Sequence, residues 1–342
     1  MKVTAIIFIV ISACLFAALV FAMRERIIKR LIRNKGKLRR ELTAFVDAVK
    51  DISFGSTFGD AKLDVYLPKN ACSALPVLLW VHGGGYIGGD KSGIEPWAHE
   101  IISRIDVAVV CVNYTLAPQM RYPIPLYQIC EAIAYLSEHA HELSLDITRL
   151  FIGGDSAGAQ IAAQYASLFY DEELRSGLKI PAAALKKLSG AILCCGFYDC
   201  RKAYSSRFPA IRTFLQAYTG QSRVNFPEEM DLFARLDRGY CASLVICGTR
   251  DPFFSQAVTL VKSLEGQKIS AENFFPRAGH EFQFRINTKN SAAAADKVAD
   301  FIRERTEMTD LFYDRELIDN AVGDTSATHL SDPQAFSERE QA

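Results

Sequence analysis

Ser156 lies in Gly154-Asp155-Ser156-Ala157-Gly158, a G-x-S-x-G stretch that follows the apolar run Leu150-Phe151-Ile152 and opens a helical pattern. A serine at so sharp a strand-to-helix turn is lifted above the sheet, with the helix N-terminus aimed at the charge that develops when its oxygen attacks a carbonyl. The glycines two before and two after it let strand and helix approach. Such a hydroxyl needs a base, and the chain has six histidines. His82 belongs to a glycine loop, His99, His139 and His141 fall in or at the ends of predicted surface helices, and His329 is in a polar tail. His280 remains, in Arg277-Ala278-Gly279-His280-Glu281-Phe282 after the strand residues Phe274-Phe275. The acid that would orient it should end a strand between the two. Asp251 does so after Val245-Ile246-Cys247, with Pro252 stopping the strand, and is preferred over Asp199, which comes one strand earlier.

A second glycine loop, Trp80-Val81-His82-Gly83-Gly84-Gly85-Tyr86, ends an earlier apolar strand. Glycines there allow backbone N–H groups to converge on an oxyanion. A phosphate-binding reading of Gly84 to Ser92 fails, because Asp90 separates Gly89 from Lys91 and the required glycine–lysine pair is absent.

These residues must be carried by elements, and the elements read as α/β. Apolar runs at Val77 to Val81, Val107 to Val112, Leu150 to Ile152, Ala191 to Cys195 and Leu244 to Cys247 are continuous rather than alternating, as a parallel sheet covered on both faces requires. Between them Leu126 to His139, Ala157 to Tyr170 and Gln256 to Leu264 have helical periodicity, and Ser291 to Arg305 forms a last, alanine-rich helix. Asp64 to Pro68 reads as an edge strand closed by proline. Residues 201–240 break the alternation and read as a helical cap over the carboxyl edge of the sheet. The expected organisation is one domain over 51–307, followed by a disordered polar tail at 308–342.

Of 342 residues 49% are hydrophobic and the formal net charge is zero, which gives ample core material and no general electrostatic case for nucleic acid. Nine irregularly spaced cysteines make no disulfide or metal framework. The positive charge is localised: Val3 to Ala22 is an uncharged apolar run, roughly 30 Å long as a helix, and nine Lys and Arg residues follow between Arg24 and Arg40. Residues 1–23 therefore read as a transmembrane anchor with the folded domain on the cytoplasmic side. The alternatives are a cleaved signal peptide, leading to secretion, and a lipoprotein site at Cys14. Residues 24–50 read as a basic juxtamembrane helix.

Together the glycine loop, Gly-Asp-Ser-Ala-Gly, the Asp-Pro turn and the late histidine resemble the hormone-sensitive-lipase-like branch of the α/β-hydrolases, from about Asp64 to about Arg305. Tyr114-Thr115-Leu116-Ala117-Pro118-Gln119 is similar to the family's Y-R-L-A-P-E segment, with Thr115 and Gln119 in place of arginine and glutamate. The resemblance implies that Ser156 is the nucleophile, His280 the base and then the acid, and Asp251 its orienting partner. It makes Gly83, Gly84 and Ala157 donors of an oxyanion hole shaped by Gly85, and it implies an acyl-enzyme intermediate with no metal or organic cofactor. The membrane segment is similar in layout to arylacetamide-deacetylase-type members.

The expected substrate is a small-molecule ester with a small or medium acyl chain. An amidase or peptidase on the same residues, and a silent binding protein on the same fold, are the alternatives. Tyr86, Trp97, Phe253 and Phe254 read as core or scaffold before pocket lining.

Overall fold

Val, Ile and Leu dominate the strands that must be covered on both faces, and these residues assemble the centre of the sheet. The computed structural model describes residues 40–306 except 70, 206–208 and 222–224. Among them eight strands form one sheet: β1 (Val46–Ser53), β2 (Lys62–Pro68), β3 (Leu75–Val81), β4 (Ala108–Val112), β5 (Leu145–Asp155), β6 (Gly190–Cys194), β7 (Ser243–Ile246) and β8 (Ala271–Phe274). Their order is β1-β2-β4-β3-β5-β6-β7-β8. β2 runs antiparallel to β1 and β4, and all other pairs are parallel. Every residue of β3, β4, β6 and β7 is buried.

The covering helices are α1 (Glu95–Ile102), α2 (Ile124–Glu138), α3 (Ala157–Leu168), α4 (Glu172–Gly177), α5 (Cys200–Tyr204), α6 (Pro209–Thr219), α7 (Phe254–Gly266) and α8 (Lys289–Thr306). Within 200–240 the described helical elements are α5, α6 and the short segments Glu228–Met230 and Phe233–Arg238. Asp171 fastens this insertion to the sheet domain: one oxygen caps α4 through the Leu174 N–H, and the other accepts from Arg235 at 2.6 Å and Arg238 at 2.9 Å.

Two expectations are corrected. β2 is not an edge strand but lies between β1 and β4, with Pro68 paired to Val46 at its very end. The juxtamembrane helix cannot run to residue 50, because Val46–Ser53 is the true edge strand. β1 carries Asp47, Lys50 and Asp51 and is mostly exposed, so it has no apolar periodicity to announce it. It is secured instead by Lys91, whose buried ammonium lies 2.7 Å from Asp51 and 2.6 Å from the buried Asp64. No helix among the described residues is long and apolar enough to cross a membrane. The apolar run 3–22, most of the basic cluster and the tail 308–342 lie outside the described residues.

Candidate active site

β5 ends at Asp155 and α3 begins at Ala157, so Ser156 alone makes the turn, at φ 53° and ψ −116°. A non-glycine residue held there costs on the order of 1–3 kcal/mol and persists only where its surroundings leave no alternative. Here the constraint is steric: a Cβ on Gly158 would stand 2.1 Å from the Val81 carbonyl oxygen, so α3 crosses β3 at backbone contact.

The acid and the base come from adjacent strands whose pairing continues past their ends. Thr249 N–H donates to the Pro276 carbonyl and Arg250 N–H to that of Ala278, each at 2.9 Å, and this clamp draws the turn after β7 onto the loop after β8. Asp251 thereby meets His280. One carboxylate oxygen accepts the Phe253 N–H at 2.8 Å, and the other lies 2.7 Å from His280 Nδ1. A carboxylate only accepts, so it fixes the proton on Nδ1 and leaves the lone pair of Nε2 facing Ser156 Oγ at 3.0 Å. Burial pushes the imidazole pKa down, but the Asp251 hydrogen bond and charge, joined by the Glu281 carboxylate, outweigh it and hold His280 above its ordinary value. The rival Asp199 is elsewhere: it caps α5 through the Lys202 N–H at 2.7 Å, and its own N–H donates to Gln256.

The glycine loop lies beside the serine, with one reassignment. Gly83 N–H donates to Asp155 Oδ2 at 2.9 Å, so it is spent inside the protein and cannot serve an oxyanion. No acceptor among the described residues takes the N–H of Gly84, Gly85 or Ala157. Gly84 has φ 113°, and a Cβ there would lie 2.2 Å from the Gly88 carbonyl, so the loop turns at a position that only glycine fills. Lys91 cannot reach a phosphate, being held by Asp51 and Asp64.

The sequence reading missed several neighbours. Asp155, the variable residue of the serine motif, is fully buried and accepts from both Gly83 N–H and Trp80 Nε1–H, the latter at 2.8 Å. A carboxylate between two glycines and a serine was the available signal, since a buried charge demands donors. Glu281 adopts φ 52° and puts a carboxylate oxygen 3.9 Å from His280 Nε2. Phe214 of α6 lies against Gly85, where an added Cβ would meet its ring at 2.6 Å. Tyr86 stacks on Tyr218 with centroids 3.9 Å apart, and through Phe197 the aromatic row reaches Phe253, whose ring is 5.6 Å from that of His280. Trp97 is core, edge-on to Trp80, and Phe254 packs on Phe275. His99 is buried against Tyr66 rather than on a surface helix.

Asp155→Ala is expected to leave two buried donors without an acceptor, lowering stability by roughly 2 kcal/mol or more. It also frees the loop, and turnover is expected to fall by about 100-fold. Melting and steady-state kinetics together check this, and unchanged turnover in a destabilised variant would show that the loop does not depend on Asp155.

The sequence pattern of the alpha/beta hydrolase fold matches residues 78–284. The acetyl esterase of Salmonella schwarzengrund (strain CVM19633) is 29% identical over 178 residues, 52% of this chain and 49% of that protein, so the chain spans about half the length of the curated relatives it matches. Esterase B from Lactobacillus rhamnosis superposes with a TM-score of 0.73 at 16% identity, over 87% of this chain and 97% of that one. A bacterial heroin esterase gives 0.64 at 23%, covering 83% and 90%. With the family pattern spanning the loop, the serine turn, the acid and the base, the chain belongs to the α/β-hydrolase fold family, in its hormone-sensitive-lipase-like branch.

Proposed function

We propose that the protein is a carboxylic-ester hydrolase in which Ser156, His280 and Asp251 act as nucleophile, base and orienting acid. The row from Asp251 through His280 to Ser156, at 2.7 and 3.0 Å, carries this reading, because it lies beside the unspent N–H groups of Gly84, Gly85 and Ala157. Ser156 Oγ attacks the acyl carbon as its proton passes to His280 Nε2, and the three N–H groups receive the charge on the carbonyl oxygen. The proton then goes to the departing alkoxide, leaving an acyl-enzyme and the alcohol. Water gives its proton to the same nitrogen, adds to the ester and restores Ser156 with release of the carboxylic acid.

The ring contacts Tyr218–Tyr86–Phe197–Phe253 run from the residue after the glycine loop to within 5.6 Å of the His280 ring, and this bulk near the base supports a small or medium acyl chain. The acetyl esterase relatives favour the same size. On p-nitrophenyl esters kcat/KM is expected to fall at least about tenfold between butyrate and laurate, and Phe197→Ala is expected to narrow that gap. Preference for laurate in the unaltered protein would overturn the chain-length assignment. The esterase assignment itself is tested by Ser156-dependent labelling with a fluorophosphonate probe together with hydrolysis of p-nitrophenyl acetate, and failure of both would leave a binding protein.

We further propose that residues 3–22 anchor the protein in a membrane with the hydrolase on the cytoplasmic side, a reading supported by the uncharged run and the basic residues that follow it. Membrane pelleting resistant to alkaline carbonate, with the domain degraded by protease only after the cytoplasmic face is opened, is the expected result.

A further inference from the structure

Directly behind the base is a thiol that the proposed mechanism does not use. Cys195, the first residue after β6, is fully buried, and its sulfur, a carboxylate oxygen of Asp251 and an imidazole nitrogen of His280 all lie within 4.8 Å of one another. Two ligands of one ion, at about 2.3 Å each, stand no more than roughly 4.6 Å apart, so shifts of a few tenths of an ångström close this set around a metal. Thiolate, imidazole and carboxylate together are a zinc-type donor set. A second observation points the same way. The Gln283 side chain is wholly buried, its Oε1 accepts from the Cys195 thiol at 3.9 Å, and its Nε2 has no partner. Once the thiol has lost its proton, a half-turn of this amide lets Nε2 donate to the thiolate, satisfying an orphaned donor and supporting a ligand from outside the coordination sphere.

We propose that Cys195, Asp251 and His280 form an inhibitory site for a thiophilic divalent cation of the zinc class. The ion binds Cys195 Sγ, Asp251 and His280 Nδ1, the nitrogen that faces Asp251 at 2.7 Å. The thiol proton is released to solvent, and the imidazole proton moves from Nδ1 to Nε2, so His280 stays neutral while changing tautomer. Nε2 then carries a hydrogen and cannot take the proton of Ser156. His280, with 29% of its side chain exposed, is the point of entry, since the Asp251 and Cys195 side chains are shut from solvent. The ion thus removes the base without touching the nucleophile.

The inhibitory consequence rests on the esterase reading, but the binding does not, and the experiment separates them. Full-length protein carrying Cys72→Ala, which removes the exposed thiol among the described residues, is titrated with Zn2+ while p-nitrophenyl acetate hydrolysis is followed, and with Cd2+ while the thiolate-to-metal absorption is followed in the ultraviolet. Reversible loss of turnover, restored by EDTA, and a cadmium band of one-to-one stoichiometry are expected. Adding Cys195→Ala is expected to keep basal turnover, raise the inhibitory zinc concentration by at least about tenfold and abolish the band. Cys195→Ser, close in size but with a hard ligand atom, serves the same purpose if the alanine variant fails to fold. Inhibition at an unchanged zinc concentration in whichever variant folds, or a band that persists in it, would overturn the site. A band without any hydrolysis in the parent protein would instead place the failure in the esterase reading.

Discussion

Ser156→Ala is expected to lower kcat on p-nitrophenyl acetate by roughly 10^4- to 10^6-fold while leaving the melting temperature near that of the parent. The size follows from what is removed. Without Oγ there is no covalent intermediate, and the Asp251–His280 pair, though intact at 2.7 Å, has no proton to accept from a nucleophile. What survives is charge stabilisation by the N–H groups of Gly84, Gly85 and Ala157 acting on an attack by water. The backbone at φ 53° suits alanine no worse than serine, so the fold should tolerate the change. Loss of fluorophosphonate labelling accompanies the kinetic loss, and a variant that kept a tenth of the parent's turnover would mean that another side chain attacks.

Gly158→Ala is expected to cost about 4 kcal/mol or more, a large share of an ordinary domain's stability of about 5–15 kcal/mol. The new Cβ would lie 2.1 Å from the Val81 carbonyl oxygen and 2.5 Å from that of His82, both main-chain atoms that cannot rotate aside. Relief requires α3 to move off β3, and that movement separates the serine turn from the glycine loop, so little soluble protein and no turnover should result. Gly177→Ala is the control, because nothing lies within 4 Å of a Cβ built there, and it should be neutral or slightly stabilising. Urea unfolding of both variants decides the matter, and a Gly158→Ala midpoint close to the parent's would show that helix and strand can part cheaply.

The covered strands were legible because burial on both faces leaves an unbroken apolar run, and β3, β4, β6 and β7 all fall where such runs occur. Ser156, Asp251 and His280 could be singled out because each follows a strand, and strand ends are what sequence marks best. β1 was invisible for the opposite reason: its residues face solvent, and the ion pairs of Lys91 that hold it connect positions 40 and 27 residues apart. The role of Gly83 could not be read either. Whether a glycine N–H points into a site or into the protein depends on the Asp155 carboxylate 72 residues away, and residue type says nothing of that direction. Cys195 closes the apolar run Ala191 to Cys195, and only the packing of the loops after β7 and β8 sets an Asp251 carboxylate oxygen and a His280 nitrogen beside its sulfur.

The Asp155 carboxylate joins Trp80 at the end of β3, Gly83 in the loop and the residue next to the serine in one buried knot. On the proposed esterase mechanism, attacking oxygen and oxyanion donors are therefore registered to each other before any ester arrives. Little of a ligand's affinity has to be diverted into assembling the machinery, so even weakly held esters meet a finished site.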